Sequence, residues 1–596
     1  MKTKYIKILA SLAIAGTGML TSCSLDLTNP DGPTATGFFD EQDKFILNII
    51  GITQEWRTDF DTNTMRNAGE LRSGIYTITG IDGSALNDIT YINNVLDEAH
   101  PQFDNFAGYY GVIGNLNAFL YYAEENAGVF TSELARNYLV GMAHGMRAYC
   151  YFQLYKMYGT CPLRKDPDVL LGNFNATELA MPRAEASEVL AFIKEEVDAS
   201  LAAFNAGSGY NDARVLGANF WNKAATEMLA GEVYLWSGKV STGNQNANPA
   251  DITTAKGYFQ NVINNYGYAM QPTYDDVFAK GGNSEVIFAT FYGYGIATAN
   301  WYYASLWKPD TGTAKGTYWS CYGYDGLTPI NNAYRLGCFI NEAGEQVYNN
   351  FYYHGVSGIV NRYQYSNAVW YQYDAEDTRR SVLMDNYLVE NDEKSLNFIE
   401  NFDKDTHHLA GTFVYKYKGE LQNDNIAGTN HMIYYRLPLA YMYLAEIANY
   451  EDNKADVERY INIVRKRAYG DNWNEAEFGY KAGDFRSNEV AILQEKTKEF
   501  LQEGQRWWDI RRLTGVKGGT DRDHLIFQPE SCAGWGLDVA AHPYWNEVCS
   551  DVANLADCPL ITDQPVLDYA TKSHMVLWPI NTALISDTVK QTPGYE

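Results

Sequence analysis

Eight stretches of this chain repeat apolar residues at three- and four-residue intervals, with no proline inside them except Pro438 near the start of the sixth: 105–126, 131–158, 184–204, 218–237, 251–266, 435–450, 454–469 and 488–514. That period lines one face of an α-helix, so the spacing predicts eight helices. Between the fifth and sixth, residues 267–434 are rich in Gly, Asn and Tyr, and residues 515–579 are rich in Gly and Pro. Both read as loop-dominated insertions, with short alternating runs at Glu285–Phe291 and Thr412–Lys418 that suit small hairpins. At 596 residues the chain exceeds what one compact core serves, and a helical frame carrying insertions accounts for its length.

Small residues and aromatics recur within the predicted helices at spacings of the tetratricopeptide type. Ala143, Ala148 and Tyr149 run on to Tyr158 and Pro162, and Ala225 and Ala230 are followed by Tyr234 and Trp236. Small side chains let paired helices approach while aromatics fill the groove between pairs. The expectation is a mainly α, tetratricopeptide-like α-α solenoid of about four helix pairs. Residues 105–266 and 435–514 form the scaffold, and 267–434 and 515–579 are the loop-rich insertions.

Lys2, Lys4 and Lys7 precede an apolar run from Ile8 to Leu20, followed by Thr21, Ser22 and Cys23. A charged start, an apolar stretch and a small-residue cleavage zone mark residues 1–22 as a secretory signal. Leu20-Thr21-Ser22-Cys23 resembles a bacterial lipobox, which makes Cys23 the lipidated N-terminus of a protein of residues 23–596. No later stretch approaches the roughly 20 apolar residues of a membrane span. The expected protein is anchored at the outer membrane by its lipid. Among the remaining cysteines, Cys532, Cys549 and Cys558 are the best disulfide candidates, with pairing left open.

The formal charge of −27 disfavours nucleic acid and other polyanions, whose binding relies on Lys and Arg. No GxSxG, GxxxxGK[ST], complete GxGxxG or HExxH occurs, and no cofactor or metal is expected. Asp59, Asp61, Asn63 and Glu70 mimic a calcium-binding loop, but Thr64 stands where that loop needs Gly.

The segment Ile492–Leu513, ILQEKTKEFLQEGQRWWDIRRL, closely resembles the ILxERxxELxxEGxRWxDLxRL helix of the SusD/RagB family of Bacteroidetes surface lipoproteins. Tyr435-Arg436-Leu437 leading to Tyr443–Ala448, and Ile461–Ala468, are similar to the family's RxAExLLxxAEA and INxVRxRA helices. Arg147–Leu163, Leu577–Ile580 and Gln591–Tyr595 resemble further family segments in the same order. Lys496, Thr497, Asn581 and Thr592 depart from the pattern at scaffold positions. Within the segment, Glu499, Glu503, Arg506, Asp509 and Arg512 are spaced for ion pairs around Trp507 and Trp508, a scaffold role. The resemblance implies a non-enzymatic lid over a SusC-type, TonB-dependent outer-membrane transporter, capturing oligosaccharide, or in some branches peptide, for import.

Phe291–Tyr324 holds 11 aromatics in 34 residues, and Tyr348–Tyr373 another nine in 26. Sugars present apolar C–H faces ringed by hydroxyls, which suit flat aromatic rings beside Asp, Asn or Arg. The candidate ligand residues are Tyr294, Trp301, Trp319 and Arg362, with Arg335 and Asn361 as further donors. Asp61, Arg66 and Arg72 from the polar N-terminal stretch are expected to approach the same face. Most other aromatics of the insertion are expected to pack it against the helices. The favoured function is capture of a neutral glycan, with peptide capture as the alternative and a secreted glycoside hydrolase behind it.

Overall fold

The computed structural model describes residues 35–78, 91–96, 106–167, 181–279, 283–293, 367–380, 384–390, 407–414, 429–537 and 564–595, with shorter pieces between 308 and 427. It is mainly helical. The frame comprises α1 Gln42–Phe60, α2 Phe106–Glu125, α3 Glu133–Tyr158, α4 Ala186–Ala206, α5 Lys223–Lys239, α6 Ala250–Asn265, α7 Leu437–Tyr450, α8 Lys454–Tyr469, α9 Phe485–Glu499 and α10 Arg506–Arg512. Packing runs in sequence order: α1 on α2, α2 on α3, α3 on α4, α4 on α5, α5 on α6, α6 on α7, and α7 on α8 and α9. That succession is the α-α solenoid.

Local chemistry sets several helix starts. The side chains of Ser132, Asn222, Asn453 and Asp484 accept from the backbone N–H three residues on, and Glu185 and Glu188 form a reciprocal capping box. Close packing needs small residues at the crossings, where a Cβ on Gly231 of α5 would overlap the Phe259 ring of α6. Ala143, Ala148 and Tyr149 of α3 and Ala225, Ala230 and Trp236 of α5 are all buried, as their spacing anticipates.

Three parts of the frame differ from the sequence expectation. α1 was not anticipated, although Phe45, Ile46, Ile49, Ile52, Trp56 and Phe60 form its buried stripe. It continues into a wider π-helical segment, Asp61–Leu71, so the calcium-like residues lie on helix rather than loop. α5 begins at Lys223 rather than 218. Residues 218–222 serve a neighbouring strand instead: Ala289 N–H donates to Ala218 O at 2.8 Å, and the Asn222 amide donates to Ile287 O at 2.9 Å.

The single helix expected over 488–514 is two, α9 and α10, broken at 500–505. Gln502 and Gly504 adopt φ of 64° and 68° there. A Cβ on Gly69 would collide with the Gly504 backbone, so the π-helical segment and the break lie against each other, and the Gly504 N–H donates to Glu70 Oε1 at 3.1 Å.

The strands pair two by two or in a small four-stranded sheet. β1 Tyr76–Ile78 pairs antiparallel with β3 Tyr363–Tyr365, and β4 Met384–Glu390 with β5 His407–Val414. The strand that positions the insertion is β2 Val286–Thr290, antiparallel to β6 Met432–Arg436 with Met432 opposite Thr290 and Arg436 opposite Val286. The central insertion thus leaves and rejoins the frame side by side. Buried Trp56 of α1 lies under that pair, its ring 5.9 Å from those of Phe288 and Tyr434 and 4.6 Å from Tyr149 of α3.

Candidate functional site

The base of the central insertion is gripped from α1 and the turn that follows it. Asp61 is buried, and its carboxylate accepts from the hydroxyls of Thr290 at 2.6 Å, Tyr292 at 2.7 Å and Tyr434 at 2.6 Å. Two donors come from the outgoing strand and its continuation, the third from the returning strand. One turn earlier, Arg57 donates to Phe291 O at 3.0 Å and lies 5.5 Å from the Tyr292 ring centre. Burial pushes the Asp61 carboxyl up to about 7, against the opposing pull of the three hydroxyls and Arg57.

Behind this clasp is a cavity of about 20 Å³, room for one water, lined by Thr64, Tyr149, Lys156, Glu232, Tyr434 and Gln505 among others. Glu232 accepts from Tyr435 at 2.7 Å and from Tyr443. The cavity is too small for a sugar.

Of the ligand residues expected from sequence, Tyr294, Trp301, Trp319 and Arg362 lie outside the described residues, as does Asn361. Asp61, Arg66 and Arg72 are described, and each is buried rather than presented to solvent. Their expected approach to a ligand face gives way to interior positions. Arg66 donates to Asn67 Oδ1 at 2.6 Å. Arg72 donates to Asn94 Oδ1 at 2.9 Å and to Met575 O, with its guanidinium 4.2 Å from the Trp507 ring and 4.7 Å from Trp578. Local polarity suggested solvent, but Asp61 and Arg72 are held by segments far away in the chain, and Arg66 by its neighbour Asn67. Tyr292 and Tyr373, from the two aromatic runs, are also buried. Glu70, the last of the calcium-like residues, accepts from Tyr76 at 2.8 Å and from Gly504, and no metal-holding cluster occurs among the described residues.

The charged residues around the α9–α10 break are buried and paired mainly across elements. Arg436 bridges Glu503 at 2.7 Å, Glu285 at 3.0 Å and Glu499 at 2.5 Å. Arg467 also reaches Glu285 and Glu499, and Arg379 reaches Asp377 at 2.6 Å, Glu495 at 2.8 Å and Glu499 at 3.0 Å. A second group joins Lys239 to Glu446 and Glu489, both at 2.8 Å, and Arg512 to Glu446 at 2.9 Å. Arg436, Arg467 and Glu446 sit in the motif-bearing segments, yet sequence spacing within one helix does not show which partners each of them meets. Cys532 is buried, and Cys549 and Cys558 lie outside the described residues.

Residues 299–595 match the family model of the SusD family. A SusD superfamily protein from Bacteroides fragilis aligns at 32% identity over 93% of this chain and 99% of its own, with a TM-score of 0.74. NanU of the same species aligns at 25% identity over 95% and 100%, with a TM-score of 0.68. Surface glycan-binding protein A from Bacteroides uniformis shares the fold at 16% identity over 93% and 100%, with a TM-score of 0.61. No curated protein matches. The helical frame, the order of motifs along it and a 32% identical relative matched over its whole length lead to one conclusion: the chain belongs to the SusD family.

Proposed function

We propose that this protein captures a neutral oligosaccharide at the cell surface and passes it, without chemical change, to a SusC-type TonB-dependent transporter. The observation that carries the reading is the match over nearly the full length to a SusD superfamily protein. The name of the Bacteroides uniformis relative, a surface glycan-binding protein, points the same way. The proposed ligand surface is the aromatic insertion, with Tyr294, Trp301, Trp319 and Arg362 as its contacts. Asp61 and Arg72 act in the scaffold that carries it. No helix among the described residues is long and apolar enough to cross a membrane, and Cys23 supplies the anchor in this reading.

The test is a glycan array followed by titration calorimetry. Burying an aromatic side chain is worth about 1.5–3 kcal/mol, so Trp301→Ala or Trp319→Ala weakens binding roughly 10- to 100-fold. Affinity holds between about 50 mM and 500 mM salt, because few ion pairs are screened. Binding of peptides but no glycan would replace this reading with peptide capture, and shortening of the glycan by repurified protein would replace it with a hydrolase.

A further inference from the structure

We propose that Asp61 is a protonation-sensitive clasp that sets how firmly the two strands at the base of the central insertion, β2 and β6, are held to the helical frame. The inference deepens the proposed function, since these strands carry the chain into and out of the proposed ligand surface.

The geometry is that of a single acceptor joining three segments. One carboxylate, fixed at the end of α1, receives Thr290 and Tyr292 from the outgoing side and Tyr434 from the returning side. Arg57, one turn back, secures the Phe291 carbonyl lying between the first two. The β2–β6 ladder is irregular at the same place, with register shifts between Ile433 and Tyr435 and between Tyr435 and Arg436. Side-chain bonds to Asp61 therefore supplement a ladder that is itself interrupted.

Among the described residues, the titratable and charged groups facing Asp61 are few. Arg57 comes from its own helix, Tyr292 from the continuation of β2, Tyr434 from β6, Tyr149 from α3 and Tyr417 from the segment before β6. Burial raises all four phenols well above their usual range, so they stay protonated at physiological pH. His431, 5.1 Å from Phe291 in ring separation, is lowered by burial and would titrate below its ordinary range. Asp61 is the group of this set placed to change charge near neutrality.

The sign follows from linkage. Closed, the Asp61 carboxyl holds its proton up to about 7, while opening to water returns it to the ordinary carboxylate range near 3.8. Between those values the closed form binds more protons than the open one, so opening becomes easier as pH rises and levels off above about 7. The ionised carboxylate accepts strong hydrogen bonds, yet it does so out of water, and the desolvation cost exceeds what the bonds return. The clasp is tight in acid and looser at neutral pH.

Hydrogen exchange on the whole protein reads this directly, using peptides over 286–292 and 430–436 with frame peptides from α7 and α9 as controls. After correction for intrinsic exchange, opening of the two clasp peptides rises up to about tenfold per pH unit between pH 5 and 6.5 and flattens above 7. Asp61→Asn, which keeps the shape and cannot ionise, abolishes that dependence and leaves the strands better protected than wild type at pH 7.5. Tyr434→Phe removes one donor to the carboxylate and moves the midpoint upward, which keeps the test alive if the Asn variant fails to fold. A pH dependence that survives in Asp61→Asn, a wild-type profile that is flat, or an unmoved midpoint in Tyr434→Phe would overturn the clasp. None of these outcomes requires a ligand, so a failure to bind glycan tests the proposed function alone.

Discussion

Two buried regions of this molecule hold their cations in opposite ways. Around the α9–α10 break, Arg379, Lys416, Arg436 and Arg467 meet Glu285, Asp377, Glu495, Glu499 and Glu503. Burial works against every charge there, and several partners together override it at Arg436 and Arg379, which are raised well above the usual guanidinium range, and at Glu499, which is lowered. Lys416, paired among the described residues with Glu503 alone and facing Arg436, is still lowered to about 8. On the other side of α10, Arg72, Lys156, Arg506 and Arg511 have no salt-bridge partner among the described residues. They rely on carbonyls and ring faces instead. Arg511 donates to Lys156 O at 2.6 Å, Arg506 to Ser531 O at 2.8 Å, and the Lys156 ammonium lies 4.4 Å from the Trp508 ring and 4.6 Å from Phe152. Here burial prevails, lowering Arg72 and Arg506 to about 10, Arg511 to about 9 and Lys156 to about 8. All of these cations are buried, so what decides whether a charge is comfortable is how much countercharge surrounds it: three carboxylates suffice for Arg379 and for Arg436, and one does not for Lys416.

The sharpest way to break the contrast is Glu499→Ala. It strips a partner from Arg379, Arg436 and Arg467 at once and leaves uncompensated guanidinium charge in the interior, a loss of about 3–5 kcal/mol. Chemical denaturation at pH 7 should show that loss. Glu499→Gln, which keeps the shape and one acceptor, should fall between the variant and wild type.

Much of the frame was readable because its determinants are local. The stripe of α3 and the small residues facing its neighbours lie within one turn of one another. α1 too is written in the sequence, in the stripe Phe45, Ile46, Ile49, Ile52, Trp56 and Phe60, although it is not among the eight helices that the spacing predicts. The break at 500–505 was not readable, because apolar spacing continues through Leu501, Trp507 and Ile510 while the interruption is tied to Gly69, far away in the chain. The same applies to the candidate site. Asp61 looks like a surface carboxylate until Thr290, Tyr292 and Tyr434, 229 to 373 positions away, are brought to it. Sequence conveys which side chains are polar, but burial is a property of the assembled fold.

The countercharge argument predicts an opposite sign on the other side of α10. Lys156→Met keeps the stem packed on Phe152 and Trp508 and removes a poorly paired buried charge. Because the folded value is depressed from 10.5 to about 8, the cost of that charge is fully present below pH 8 and fades as pH rises from 8 to 10.5. The variant should be more stable than wild type by up to about 3 kcal/mol at pH 7, with the gain shrinking to nothing above roughly pH 10. Paired denaturation curves at pH 7 and pH 10 check this. A variant less stable at pH 7 would mean that the ring contacts outweigh desolvation.

Arg72→Lys refines the comparison at smaller scale, since charge is retained and only the planar fork is lost. The guanidinium between Trp507 and Trp578 also ties Asn94 to Met575, and an ammonium cannot stack on both rings while making both bonds. A loss of about 1–2 kcal/mol is expected, accompanied by a change in tryptophan fluorescence.

The smallest effect expected is on binding. Arg72 and Lys156 are both buried among scaffold elements, and in the proposed reading the ligand is held by aromatic faces of the insertion. Lys156→Met, folded and assayed at pH 7, should therefore bind a cognate glycan within about twofold of wild type, a difference under about 0.4 kcal/mol. Trp301→Ala should weaken the same titration at least tenfold. If the lysine variant instead loses affinity without losing stability, the cationic side of α10 belongs to the ligand surface after all. The separation between a scaffold that spends its charges internally and an insertion that meets the ligand would then have to be redrawn.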